Sequence, residues 1–228
     1  MKRKITSVIF DADKTLWETN YRAMKLLIAR KLNIHFSKEY FYQFDYLLKN
    51  IWNCLLIKQE VNLITEQTLI DVISTYINVA KPNDFYNAFK ECSKENIIAT
   101  VKPNSLEVVK QLYSRNYKIY IKSNGITEVQ RYRMHEFGFS PYIELVLGCD
   151  NSFVKPDYRS ITPITNNQDL SSFIIIGDKL KTDIALGNKL HIDTIWLNED
   201  GNENSSNITP TYEISNIIEV LDYLPDLG

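Results

Sequence analysis

Cysteine is scarce in this chain of 228 residues: Cys54, Cys92 and Cys149 are the only three, and they stand far apart. An odd, scattered set of thiols argues against a disulfide framework and fits reduced side chains in a cytoplasmic protein. The three histidines, His35, His135 and His191, form no cluster with those cysteines, which leaves no zinc site, and none has an evident acid–base partner. A strong charge of one sign is also lacking. The formal net charge is −2, so no basic field argues for a nucleic acid polymer or an anionic membrane as partner. Long apolar runs are missing as well. The start is basic (Lys2, Arg3, Lys4), but the run that follows stops at Asp11, too short for a signal segment or a membrane span. There is no internal repeat and no low-complexity tract. The 199–210 stretch reads as one long polar surface loop, and its glycosylation-like triplets Asn204-Ser205-Ser206 and Asn207-Ile208-Thr209 belong to it.

The remaining composition, 44% hydrophobic and 24% charged, is that of an ordinary globular chain. Short apolar runs predict strands over 5–10, 118–122, 144–147, 173–176 and 194–197. Helical periods lie between most of them. Leu106, Val109 and Leu112 share a face after Asn104 or Ser105 as cap. Val129, Arg133 and Phe137 share another, and Ile184, Leu186 and Leu190 a third. This alternation predicts an α/β fold with a doubly wound parallel sheet, which binds ligands beyond the carboxyl ends of its strands.

The first connection is too long. Roughly eighty residues separate Thr15 from the next core helix, where a whole βαβ unit needs about 30. The interval carries four apolar stripes: Tyr21, Met24, Ile28, Leu32; Phe41, Phe44, Leu48, Trp52, Leu55; Leu69, Val72, Ile73, Tyr76; and Phe85, Phe89, Cys92, the last opened by Pro82. The expected organisation is a four-helix insert at 17–98, packed over the carboxyl edge of a core formed by 1–16 and 99–228.

Four polar strings sit at or near strand ends: Asp11-Ala12-Asp13-Lys14-Thr15, Ser123-Asn124-Gly125, Lys155-Pro156, and Gly177-Asp178-Lys179-Leu180-Lys181-Thr182-Asp183. A buried carboxylate needs a partner or a metal. Two unit charges about 4 Å apart repel by about 4 kcal/mol at an effective dielectric of about 20. One lysine cannot offset such a cluster together with a phosphate dianion. Few carboxylates, water and phosphate describe Mg²⁺ better than a Ca²⁺ cage.

In these four strings, in this order, the chain resembles the haloacid dehalogenase-like (HAD) hydrolase superfamily, in the form with a helical cap after the first strand. The resemblance implies an enzyme, a phosphoric monoester hydrolase. Asp11 would be the nucleophile that forms an aspartyl-phosphate, and Asp13 the acid and then the base. Ser123 and the backbone N–H groups of Asn124 and Gly125 would hold phosphoryl oxygens, and Lys155 would compensate charge. The implied metal ligands are the Asp11 side chain, the Asp13 carbonyl and Asp178, with Asp183 acting through water or as an orienter. Lys14 departs from the pattern, standing where the family usually has glycine, and is expected to hold the backbone in ordinary conformations. Pro163 is expected to shorten or displace the helix after Lys155-Pro156.

Each string has a bland reading. Asp11 and Asp13 suit a turn or cap, Gly177-Asp178 a tight turn, and Thr182 or Asp183 a cap; Cys149 reads as a small buried thiol. Agreement of all four favours the functional reading. An acid at Asp13 favours phosphate esters over haloacids, because a halide leaves without a proton. The segment Ser123–Gly138 written SNGITEVQRYRMHEFG, with Trp196-Leu197-Asn198 and Pro210-Thr211-Tyr212, looks most like the house-cleaning 5′-nucleotidase branch. The insert offers Trp17, Tyr21, Tyr40, Phe41, Tyr42, Phe44, Tyr46 and Trp52 as faces for a base, Trp17 and Tyr21 foremost, against their use as bundle core. Alternatives are a sugar-phosphate or phosphoglycolate phosphatase, a phosphosugar mutase, and a non-catalytic phosphate-binding protein. The expected partner is a small phosphorylated metabolite; oligomeric state is not encoded in these features.

Overall fold

The computed structural model describes residues 4–60, 62–78, 81–150 and 152–228; Lys2 and Arg3 of the basic start lie outside them. The chain opens with β1 (Ser7–Phe10) and β2 (Trp17–Thr19), followed by the helices α1 (Tyr21–Lys31), α2 (Lys38–Lys58), α3 (Glu66–Tyr76) and α4 (Pro82–Cys92). It returns through β3 (Ala99–Val101), α5 (Ser105–Ser114), β4 (Lys118–Lys122), α6 (Thr127–Glu136) and β5 (Leu145–Leu147). After α7 (Thr162–Thr165) come β6 (Phe173–Gly177), α8 (Ala185–Leu190), β7 (Asp193–Leu197), β8 (Tyr212–Ile214) and α9 (Val220–Tyr223).

Six strands form a parallel sheet in the order β5-β4-β1-β6-β7-β8. β1 lies at its centre and is buried at every position. The period-two alternation of a strand divides its side chains between two cores. Val8 and Phe10 pack with Ile119, Ile121, Ile174 and Ile176 under α5. Ile9 faces the other way, with Tyr120, Phe173, Ile175 and Leu186 of α8. Helices on both faces explain why β1 and β6 read as unbroken apolar runs.

All five expected strands are present, shifted by at most two residues at their ends. Three were not expected: β2, β3 and β8, each of three residues, too short to carry a pattern. β2 and β3 pair antiparallel, Trp17 opposite Val101 and Thr19 opposite Ala99, and so tie together the two chain segments that lead into and out of α1–α4. The four stripes are helices as read. Asn20, Ser37 and Thr65 cap α1, α2 and α3 through their side chains, and Pro82 opens α4. Their apolar faces share one core, which includes Phe44, Leu55, Ile73 and Phe85. It reaches Ile126, Val129, Cys149 and Val154 on the sheet side.

Some expectations need correction. Neither Asn104 nor Ser105 caps α5 by its side chain; Asn104 is left-handed and the Ser105 hydroxyl donates to Leu16 and Lys102 carbonyls. Lys14 is not held in ordinary backbone space: its φ is 67°. That conformation costs a non-glycine residue roughly 1–2 kcal/mol. One local and one distant contact offset it. The Lys14 N–H donates to the Trp17 carbonyl at 2.6 Å, and Lys102 Nζ donates to the Lys14 carbonyl at 2.8 Å while pairing with Glu199. Pro163 does sit in a short helix, the single turn α7. No helix among the described residues is long and apolar enough to cross a membrane.

Candidate active site

The register of the sheet brings the strings together. Phe10 stands beside Ile121 and Ile176, so the residues that follow in each strand meet at one edge. The Asp11 N–H donates to the Ile176 carbonyl at 2.8 Å, carrying the ladder one residue past Phe10. Beyond β6, Leu180–Ile184 forms one π-helical turn, a widened geometry common at functional sites. That turn folds Asp183 back against the strand. A Cβ on Gly177 would lie 2.4 Å from the Asp183 carboxyl carbon, so only glycine permits the approach.

Lys155 binds the edge together from below. Its Nζ donates to Asp11 Oδ1 at 2.6 Å and to Asp183 Oδ1 at 2.5 Å, with all three residues buried. Burial opposes the ammonium charge, but Asp11 and Asp183 outweigh it and hold Lys155 above the usual lysine range. Asn124 fixes this lysine's backbone with its side chain. The Lys155 N–H donates to Asn124 Oδ1 at 2.8 Å, and Asn124 Nδ2 donates back to the Lys155 carbonyl at 3.3 Å. The Gly125 N–H donates to Ser123 Oγ at 2.9 Å, so that donor, expected for a phosphoryl oxygen, is engaged within the loop.

Asp11, Asp178 and Asp183 each offer a carboxylate oxygen, and these oxygens lie within 4.8 Å of one another. The cluster is short of positive charge. Burial pushes the Asp11 carboxyl up to about 8 against the pull of Lys155, with Asp183 and Asp178 adding to the rise. Burial likewise raises Asp178. Asp178 Oδ1 is buried without a hydrogen-bond partner among the described residues. Asp183 has both oxygens engaged, one by Lys155 and one by the Lys179 N–H at 3.1 Å. An all-oxygen set with an orphaned carboxylate oxygen fits a hard divalent cation.

Asp13 stands apart from that cluster. Its Oδ1 accepts from Trp17 Nε1 (3.1 Å), Thr19 Oγ1 (2.5 Å) and Arg133 Nη1 (2.9 Å), and its Oδ2 accepts from Gln130 Nε2 (3.0 Å). A cleft of about 180 Å³ lies beside it. Asp11, Asp13, Ser123, Asn124, Gly125 and Lys155 line one side; Tyr21, Leu47, Trp52, Leu69, Tyr86 and Phe89 line the other.

Trp17 requires a correction. It is fully buried, with its ring centroid 5.7 Å from that of Phe137 and 6.1 Å from that of Phe139, and has no face for a base. Tyr21 does line the cleft. Burial and the charge of Asp13 push its hydroxyl above the usual tyrosine range. Tyr40 and Phe44 are bundle core, whereas Tyr42 and Tyr46 are exposed and stack on each other. Tyr86, Phe89, Gln130 and Thr19 were not anticipated as cleft residues. Arg133 had one signal in the sequence, a charge on an otherwise apolar helical stripe.

The model of the haloacid dehalogenase-like hydrolase family matches residues 8–197. The pyrimidine 5′-nucleotidase PynA of Streptococcus pneumoniae is 34% identical over 122 residues, a match that spans 52% of this chain and 52% of that protein. The pyrimidine 5′-nucleotidase YjjG of Escherichia coli is 24% identical over 217 residues, 93% of this chain and 95% of its own. Among solved structures, the magnesium-bound HAD-hydrolase YfnB of Bacillus subtilis has a TM-score of 0.76 at 20% identity, with 97% of this chain and 99% of that one covered. The chain therefore belongs to the haloacid dehalogenase-like hydrolases.

Proposed function

We propose that the protein hydrolyses phosphomonoesters through an aspartyl-phosphate on Asp11, with Mg²⁺ as cofactor and nucleoside 5′-monophosphates as the substrate class. The observation that carries this reading is Asp13. Its carboxyl lines the same cleft as Asp11 and is gripped by four donors, one of them a guanidinium. A fixed acid beside a nucleophile serves a leaving group that must be protonated, which an alkoxide must and a halide need not.

Asp11 attacks phosphorus, and Ser123 and Lys155 balance charge on the phosphoryl oxygens. Asp13 protonates the departing oxygen, then takes a proton from the water that cleaves the acyl phosphate. Asp11 and Asp178 would hold the cation, with the Asp13 carbonyl, while Asp183 orients Lys155. Bound there, Mg²⁺ supplies charge compensation and in-line alignment. Residues 17–98 act as a cap on the core formed by 1–16 and 99–228, excluding water when a leaving group fills the cleft.

The nucleoside assignment rests on the names of PynA and YjjG and on the cleft wall. Tyr21, Trp52, Tyr86 and Phe89 offer aromatic faces in an otherwise apolar surround. A sugar, with a hydroxyl on nearly every carbon, would leave many polar groups unpaired against that wall. The test is a panel of nucleoside 5′-monophosphates, sugar phosphates, phosphoglycolate and 4-nitrophenyl phosphate, with Mg²⁺ and with excess chelator. Nucleotides should have the highest kcat/KM, and chelator should abolish all turnover reversibly. Equal rates on sugar phosphates would remove the nucleotide assignment; no turnover of any ester would remove the phosphatase mechanism.

A further inference from the structure

The geometry points to Arg133 as the positioning residue of the general acid, and to Oδ2 of Asp13 as the oxygen that carries the transferred proton. The inference rests on the acid–base reading of Asp13 given above.

The two oxygens of Asp13 are unequally served. Oδ1 receives an indole N–H, a hydroxyl and a guanidinium N–H, at 3.1, 2.5 and 2.9 Å. A carboxylate oxygen has about two lone-pair sites, so three donors leave no room on Oδ1 for a proton or a substrate contact. The Thr19 hydroxyl donates to Oδ1 and accepts from Arg133 Nη1 at 3.0 Å, which ties it into the same cluster. Among the described residues Oδ2 has one hydrogen-bond partner, Gln130 Nε2 at 3.0 Å. It alone can hold a proton and present it to the cleft. When the P–O bond breaks, its electron pair goes to the leaving oxygen, which takes the proton from Oδ2. The negative charge then left on Asp13 is already paired with Arg133 through Oδ1. In the second half, Oδ2 accepts a proton from the attacking water, and the bond from phosphorus to Asp11 breaks with its pair returning to the carboxylate.

Arg133 is only 4% exposed, too buried for a solvated charge, and its position links three parts of the molecule. From α6 it reaches Asp13, Thr19 on β2, and through Nη2 the Ser93 carbonyl at the end of α4, at 3.3 Å. The side chain that fixes the acid is thus also bonded to the helical insert. Displacing the last helix of the insert would disturb the Asp13 carboxyl by way of this guanidinium. A misplacement of about 1 Å in such a group costs about 10²-fold in rate.

The test compares phenyl phosphate with 4-nitrophenyl phosphate in the full-length, Mg²⁺-loaded protein. The esters are similar in size, but the phenyl leaving oxygen is more basic and needs the proton more. Arg133→Met should lower kcat/KM for phenyl phosphate by about 10²-fold and for the nitrophenyl ester by about tenfold less than that, with KM little changed. Arg133→Lys should recover part of the loss. Equal losses on the two esters would mean a structural role only and would overturn the inference. Should Arg133→Met fail to melt cooperatively, Arg133→Lys serves in its place, with the same selective pattern at smaller size expected and equal losses overturning. Asp13→Asn is run alongside. If it is selective and Arg133→Met is not, only the positioning role falls. If Asp13→Asn itself makes no distinction between the esters, the acid assignment falls and takes this inference with it.

Discussion

The two walls of the cleft are built on opposite principles. On the sheet side the side chains are polar and buried: Asp11, Ser123, Lys155 and Asp183 are all less than a tenth exposed, and the two carboxylates share the Lys155 ammonium. On the insert side the wall is Tyr21, Leu47, Trp52, Leu69, Tyr86 and Phe89, held by helix packing. In the proposed reaction the first wall would touch only what every phosphomonoester has in common, and the second what differs from one ester to the next. Changes in the sheet wall should therefore remove chemistry for all substrates alike, whereas changes in the insert wall should alter the ranking of substrates.

The largest effect expected is from Asp11→Asn, which keeps the shape of the proposed nucleophile and removes its charge. Turnover of every ester should fall by more than about 10⁴-fold with the fold intact, as judged by circular dichroism, and no phosphorylated protein should appear in quenched reactions by mass spectrometry. Retained turnover would break the covalent mechanism. Next comes Asp178→Ala, which removes the orphaned oxygen of the acidic cluster. The Mg²⁺ concentration giving half-maximal rate should rise by about 10-fold or more, equally for aryl esters and nucleotides. A shift seen with only one substrate class would place Asp178 in the wrong wall.

The smaller effects belong to the insert. Trp52→Ala or Tyr86→Ala should cost about 1–3 kcal/mol of nucleotide binding, read from kcat/KM, and much less with 4-nitrophenyl phosphate. Trp17→Ala makes the sharpest contrast. Loss of a fully buried indole should lower stability by about 3–5 kcal/mol in denaturant unfolding, while the preference among nucleotide bases stays as in the wild type. A changed base preference in Trp17→Ala would contradict its burial in the sheet core.

The two walls also differed in how far they could be read in advance. The sheet wall was legible because its residues sit at fixed offsets from strand ends: Asp11 follows a run buried at every position, and Asp178 another. The helices of the insert were equally legible as amphipathic stripes, since a 3.6-residue period is local information. Which aromatic residue faces the cleft was not. Trp17 and Tyr21 are four residues apart, yet the β2–β3 pairing sends one into the sheet core and leaves the other in the cleft. Lys14 teaches the same lesson. Its left-handed backbone depends on Lys102, 88 positions away.

By itself the sequence determined five strands of the main sheet, the four helical stripes between Thr15 and β3, and the set of acids and lysine at the sheet edge. Strand period, helix period and strand-end position are written in neighbouring residues. Only the tertiary structure decided that Asn124 locks the Lys155 backbone, that three donors converge on one oxygen of Asp13 and Gln130 on the other, and that Arg133 joins this carboxyl to the Ser93 carbonyl. The contacts of Asn124, Gln130 and Arg133 join groups 31 to 120 positions apart. Hydrogen bonds reach only about 3 Å, so such pairings come into being when the chain packs and leave no mark in any local stretch.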